Sequence, residues 1–150
     1  MLCGRLLLAS LAISWLAFAD ATFLFGAGLP QFAVLSGLAA LKGLYLTGEK
    51  TLLSAVQQLD PNGCIQKLLC RLQFKEEANR THEENALVKM FSKGAETITS
   101  YNAAFVYASA IGSTSADPKV CDKYFSKCPV SNEELGKLLQ QSWGCANIDS

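Results

Sequence analysis

Cys64 and Cys70 lie six positions apart in Cys64-Ile65-Gln66-Lys67-Leu68-Leu69-Cys70-Arg71-Leu72, and this spacing constrains the fold more than any other feature. Ile65, Leu68, Leu69 and Leu72 recur with the period of one apolar helix face, with Gln66, Lys67 and Arg71 on the other side. On such a helix the two Cα atoms are separated by about 9 Å of axial rise, more than the roughly 4.4–6.8 Å that a disulfide spans. The two sulfurs cannot pair with each other. Cys121 and Cys128 form a second pair, and the same arithmetic disfavours a bridge between them if residues 119–127 are helical. Two bridges between the pairs are the simplest solution. Antiparallel segments would give Cys64–Cys128 and Cys70–Cys121, each closing a long loop for about 4 kcal/mol of chain-entropy stabilisation.

Bridges of this kind need an oxidising compartment, and the N-terminus supplies one. Arg5 precedes an apolar run from Leu6 to Phe18, followed by the small-x-small exits Ala17-Phe18-Ala19 and Ala19-Asp20-Ala21. That pattern reads as a secretory signal peptide over residues 1–19, too short and wrongly flanked for a transmembrane helix. The mature chain then starts at Asp20, or at Thr22 if cleavage follows Ala21. Cys3 leaves with the signal, and Cys64, Cys70, Cys121, Cys128 and Cys145 remain. An odd number leaves one thiol over. Cys145 is the candidate, either joining two chains in a homodimer or taking one of the other four and freeing its partner.

Residues 20–46 are rich in Gly, Ala and Leu. Pro30 suits a first helical turn. Leu29 to Leu46 is apolar nearly all round, interrupted by Gln31, Ser36 and Lys42, a profile that is either buried or in contact with lipid. Lys42 and Gln31 would be costly at bilayer depth, so contact with a protein or a membrane surface is favoured over insertion. The secreted helical disulfide domain is expected over residues 47–150.

Within it, Leu52, Leu53, Val56 and Leu59 recur at helical spacing, and Asp60-Pro61-Asn62-Gly63 reads as a turn. Asn79-Arg80-Thr81 is an N-glycosylation sequon in the most polar stretch of the chain, marking Asn79 as a modification site. Thr81 and Glu84 form a capping box, as do Ser131 and Glu134. Leu87, Phe91, Ile98, Tyr101, Phe105 and Ala108 suggest one long helix with an apolar face and a bend at Gly94. Leu135, Leu138, Leu139 and Trp143 give a last helix stopped by Gly144. Strand-like alternation is scarce. The fold class is all-α: a small disulfide-linked helical bundle preceded by a signal peptide and an apolar segment.

Chemistry is hard to place. The single His82 lies in a first helical turn among carboxylates and reads as solvated rather than as a general base. The cysteine spacings are too long for a structural zinc site. Glu76, Glu77, Glu83 and Glu84 lack the alternation of a calcium loop. Phe91, Tyr101, Phe105 and Tyr107 recur at helical spacing and read as core. No nucleophile, metal-protease or phosphate-loop motif is present. Thirteen basic residues balance thirteen acidic ones, leaving no basic footprint for nucleic acid. No catalytic residue, metal or cofactor is assigned.

The framework Cys64-x5-Cys70 with Lys67 and Leu68-Leu69, then Ala104-Phe105-Val106-Tyr107-Ala108 to Gly112, then Cys121-Asp122-Lys123-Tyr124 and Cys128-Pro129-Val130-Ser131, resembles a family of small secreted arthropod proteins of unknown role. The resemblance spans roughly Asp60 to Ser131, and Arg71 stands where that family carries an acidic residue. It implies secretion and a helical disulfide-bonded domain, and no activity. The expected function is that of a secreted, non-enzymatic interaction or structural module. The alternative is a secreted helical carrier of a small hydrophobic ligand, although the six-cysteine, x3-spaced pattern of insect helical carriers is absent.

Overall fold

The computed structural model describes residues 29–48, 51–92 and 99–144. Among them are seven α-helices and no strand: α1 (Leu29–Thr47), α2 (Thr51–Leu59), α3 (Cys64–Leu72), α4 (His82–Phe91), α5 (Ala103–Thr114), α6 (Lys119–Tyr124) and α7 (Asn132–Trp143). A short 3-10 turn, Glu77–Asn79, precedes α4. The protein is an all-α bundle stapled by disulfides. The signal region, Gly94, Ile98 and Cys145 lie outside the described residues.

α3 sits at the centre because nearly its whole circumference is covered. Cys64, Ile65, Lys67, Leu68, Leu69, Cys70 and Leu72 are all buried, against α5, α7, α6, α1 and α4. Fully burying one such aliphatic side chain contributes about 1.5–3 kcal/mol, so nine residues anchor a large share of the core. Lys67, expected on the solvent side, is instead buried, with only 8% of it exposed. The face it occupies is the one on which α6 docks.

α1 and α2 form a hairpin turned at Gly48, whose left-handed backbone (φ 69°) lets its N–H donate to Leu44 O at 2.8 Å. α1 brings Val34, Leu38 and Leu41 into the same core as α3 and α7. It lies beside α7, fastened by the indole N–H of Trp143 donating to Leu38 O at 2.8 Å. Gln31 Nε2 donates to Glu134 Oε1 near one end of this contact and Lys42 Nζ to Ser142 O near the other. The two helices therefore run in the same direction. No described helix is long and apolar enough to cross a membrane.

Both capping boxes form. The N–H of Glu84 donates to Thr81 Oγ1 at 3.3 Å while Glu84 Oε2 accepts from the Thr81 N–H at 2.8 Å, and Ser131 with Glu134 repeats the arrangement. The single long helix expected between Leu87 and Ala108 is instead two helices. α4 ends at Phe91, and Thr99 to Asn102 lie outside any helix. Asn102 Oδ1 accepts the Thr99 N–H at 2.6 Å, an alternative to helical bonding that Asn offers readily. Tyr101, ahead of α5, and Tyr107, on its outer face, are 55% and 56% exposed rather than core. Phe91 and Phe105 do meet across the break, with ring centroids 5.2 Å apart.

Candidate functional site

The bridges are Cys64–Cys128 and Cys70–Cys121, with Cα atoms 5.0 and 5.7 Å apart. They leave α3 at its two ends and enter α6 and the turn after it in the opposite order. All four cysteines are buried. This double staple is the most distinctive construction in the molecule, and two groups of polar residues adjoin it.

The first is Asp60, which the sequence offered only as a turn residue. Pro61 and Asn62 carry the chain round to Gly63, whose positive φ of 69° no β-carbon opposes. The reversal turns the Asp60 carboxylate back under the start of α3. Its two oxygens accept the N–H groups of Cys64 at 2.7 Å and Ile65 at 2.9 Å, donors a helix cannot satisfy internally. The residue is only 5% exposed. Burial outweighs the hydrogen bonds from the Ile65, Cys64 and Gln66 amides and pushes its pKa up to about 6. An Asp just ahead of an apolar helix is the signal that could have revealed this cap.

The second group is an ion cluster on the face shared by α3 and α6. Lys67 Nζ lies 3.0 Å from Asp122 Oδ1, and Arg71 approaches the other carboxylate oxygen at 3.7 Å. Asn132 Nδ2 also reaches Asp122, at 3.4 Å. The bond from Lys67 holds the Asp122 carboxyl below the usual carboxylate range against the opposing effect of burial, helped by the Asn132 amide and then by the charges of Lys67 and Arg71. The chemistry here is charge pairing around a disulfide. It has no nucleophile and no proton acceptor facing an open site.

The remaining candidates lie elsewhere. Asn79 is exposed at the end of the 3-10 turn, its amide 3.4 Å from Glu76 Oε2. His82 is exposed in the first turn of α4, apart from the ion cluster and the disulfides. Among the described residues no group of three His, Cys, Asp or Glu side chains could hold a metal ion. A shallow, open depression is lined by Ser115, Ala116, Asp117, Lys119, Val120 and Lys123. Two lysines and one carboxylate at its rim give it no catalytic pairing.

One surface remains. The side of α1 turned away from the core carries Phe32, Leu35, Ala39 and Leu46, of which Phe32 is 59% and Leu46 67% exposed. α7 flanks this stripe through Gln31 and Lys42, and α2 through Gly43, which faces Leu52. Tyr45, half-exposed beside it, leans on Trp143 with ring centroids 5.8 Å apart.

No family model matches the chain, and no curated protein or solved structure matches it either.

Proposed function

We propose that this chain is a secreted, non-enzymatic helical module that acts by association, carrying an N-glycan at Asn79. The observation that carries this reading is the use made of the chemically capable groups around the staple. Four cysteines are consumed in two buried bridges, Asp60 caps α3, and Lys67 neutralises Asp122. Each stabilises a rigid framework and none faces a cleft. Secretion is supported by the bridges, which persist where the surroundings are oxidising, together with the signal-like run from Leu6 to Phe18. Asn79 is exposed, as a glycan acceptor must be. Cys145, at the C-terminal end, is the sulfur proposed to link two such modules.

Expression of the full chain in a eukaryotic secretory host tests the reading. The protein is expected in the medium, starting at Asp20 by intact mass. It should lose one glycan on glycosidase treatment, and Asn79→Gln should abolish that loss. Retention inside the cell with residues 1–19 attached would sink the proposal. On a non-reducing gel Cys145→Ser is expected to convert dimer to monomer.

A further inference from the structure

Asn79 is exposed, yet the three residues that a glycosylating enzyme reads together are all tied down. The 3-10 turn fixes Asn79: its N–H donates to Glu76 O at 2.9 Å and its Nδ2 to Glu76 Oε2 at 3.4 Å. Arg80 is fastened twice. Its N–H donates to Glu77 O, and its side-chain Nε donates to Leu72 O, at the end of α3, at 2.9 Å. Thr81 Oγ1 caps α4 by accepting the Glu84 N–H. Glu84 Oε2 accepts the Thr81 N–H in return and is itself held by Lys75 Nζ at 2.6 Å. A sequon is read through its asparagine and its hydroxyl together. In the folded protein the hydroxyl oxygen is already taken by the cap.

We infer that Asn79 accepts its glycan only while α4 is undocked, so that the fold closes its own modification site and occupancy is set by a race between transfer and folding. This rests on the proposal above that Asn79 is a glycan acceptor. The transfer needs a free amide. Nδ2 loses a proton and bonds to the anomeric carbon of a lipid-diphosphate-linked oligosaccharide, and the bond from that carbon to the lipid diphosphate breaks. Presenting Asn79 and Thr81 to a transferase therefore requires the turn, the cap and the tie from Arg80 to α3 to open together.

Before folding, nothing holds them. α4 has 10 residues, too few for a stable isolated helix in water. Its buried residues Ala86, Leu87, Val88 and Phe91 gain their cover from packing against α3, α5 and α7. α7 is the last of these to be synthesised. At about 5–20 residues per second, the roughly 60 residues from Asn79 through α7 take about 3–12 s to emerge. Throughout that interval one partner of α4 is missing and the cap is open. The tie from Arg80 adds a dependence on α3, ending two residues beyond Cys70 and its bridge to Cys121. Once the site has closed, the exposure of Asn79 leaves room for a glycan already attached.

The test compares the unglycosylated mature chain with both bridges formed against the same chain reduced, alkylated and shown to be unfolded by circular dichroism. Each is incubated with solubilised oligosaccharyltransferase and its lipid-linked donor, and modification is read by mass. The unfolded chain is expected to gain one glycan, and the bridged chain to do so at least about tenfold more slowly, since only local opening exposes the site. Equal rates would overturn the inference while leaving Asn79 an acceptor. An unfolded chain that stays unmodified would remove the acceptor reading, and this inference with it. Glu84→Ala keeps the sequon and breaks the capping box, and loss of a helix cap shifts such an opening about fivefold. The bridged Glu84→Ala chain is therefore expected to be modified about that much faster than the bridged parent. An unchanged rate, with circular dichroism also unchanged, would overturn the role given to the box.

Discussion

Gly112 is the tightest point in the bundle and the best place to test its packing. A Cβ built there falls 2.2 Å from Cys70 O and 2.9 Å from both Cβ and Cγ of Gln73. The nearest obstacle is a backbone oxygen of α3, next to a cysteine bridged to Cys121, so it cannot swing away as a side chain would. Gly112→Ala therefore has to push α5 outward by roughly 1 Å, loosening Phe105, Ala108 and Ile111 and stretching the 2.9 Å bond from Gln73 Nε2 to Ser109 Oγ. Overpacking of this severity costs up to about 3 kcal/mol. Replacing a helical glycine by alanine offsets about 1 kcal/mol of that. The net loss of about 2 kcal/mol corresponds to a fall of some 10 °C in Tm for a domain of this size. Gly136→Ala is the control: it lies inside α7, meets nothing within 4 Å, and is expected to gain about 1 kcal/mol. Gly37→Ala should fall between them, because its 2.6 Å neighbour is Ile65 Cδ1, the movable end of a side chain. Urea denaturation reads all three as shifts in midpoint at constant slope. A Gly112→Ala protein as stable as the parent, alongside a stabilised Gly136→Ala, would refute the close approach of α3 and α5.

Three further tests address the polar groups and the bridges. Because burial raises the Asp60 pKa from 3.8 to about 6, the folded state holds its proton more tightly than the unfolded chain. This group's stabilisation is thus greatest below about pH 4 and declines by up to about 3 kcal/mol as pH rises through 6. Subtracting an Asp60→Asn titration from the parent's isolates that slope, and parallel curves would rule it out. Asp122→Ala leaves the Lys67 ammonium buried without its partner and should cost about 1–2 kcal/mol, discounted for the partial exposure of Asp122. Lys67→Met on that background is expected to recover most of the loss, and a double-mutant cycle with no coupling would contradict the assignment. With one bridge formed, the other closes only the short circuit through Cys64–Cys70 and Cys121–Cys128, worth about 3 kcal/mol. Replacing Cys70 and Cys121 by Ser should therefore cost less than half of what removing both bridges costs, as read from urea midpoints of the three proteins.

Local signals in the sequence were read well where one residue's chemistry decides the backbone. Thr81 with Glu84 and Ser131 with Glu134 start helices wherever they occur, and both helices begin where those boxes place them. Helix rise against the span of a disulfide excluded a bridge between Cys64 and Cys70, and the simplest remaining pairing, with Cys121 and Cys128, is the one that forms. What failed depended on neighbours distant in the chain. Lys67 has the spacing of a solvent-facing residue, and it is buried because α6, some fifty positions on, is drawn onto that face by Cys121. Tyr101 fits an apolar period that would hold only if the helix continued, and Asn102 competes with that continuation. The apolar circumference of α1 announced burial but not direction: half faces Ile65 and Trp143, while Phe32 and Leu46 face outward. Asp60 read only as part of a turn, although its place just ahead of an apolar helix was the signal for the cap that the reversal at Gly63 brings about.

The nesting of the two bridges divides the molecule by how its parts are held. A protease cutting at the exposed residues 76–79, or between Ser113 and Pro118, would leave both fragments joined by two disulfides. Such a nicked protein would migrate as one species until reduced. α1, α2 and α7 lie outside the span the bridges enclose, and among the described residues α1 and α7 are held to it by packing and by contacts such as Trp143 with Leu38. The helix with the bare apolar face can therefore swing open without any disulfide being broken. Its exposure is governed by noncovalent energy alone, on a frame that proteolysis leaves intact.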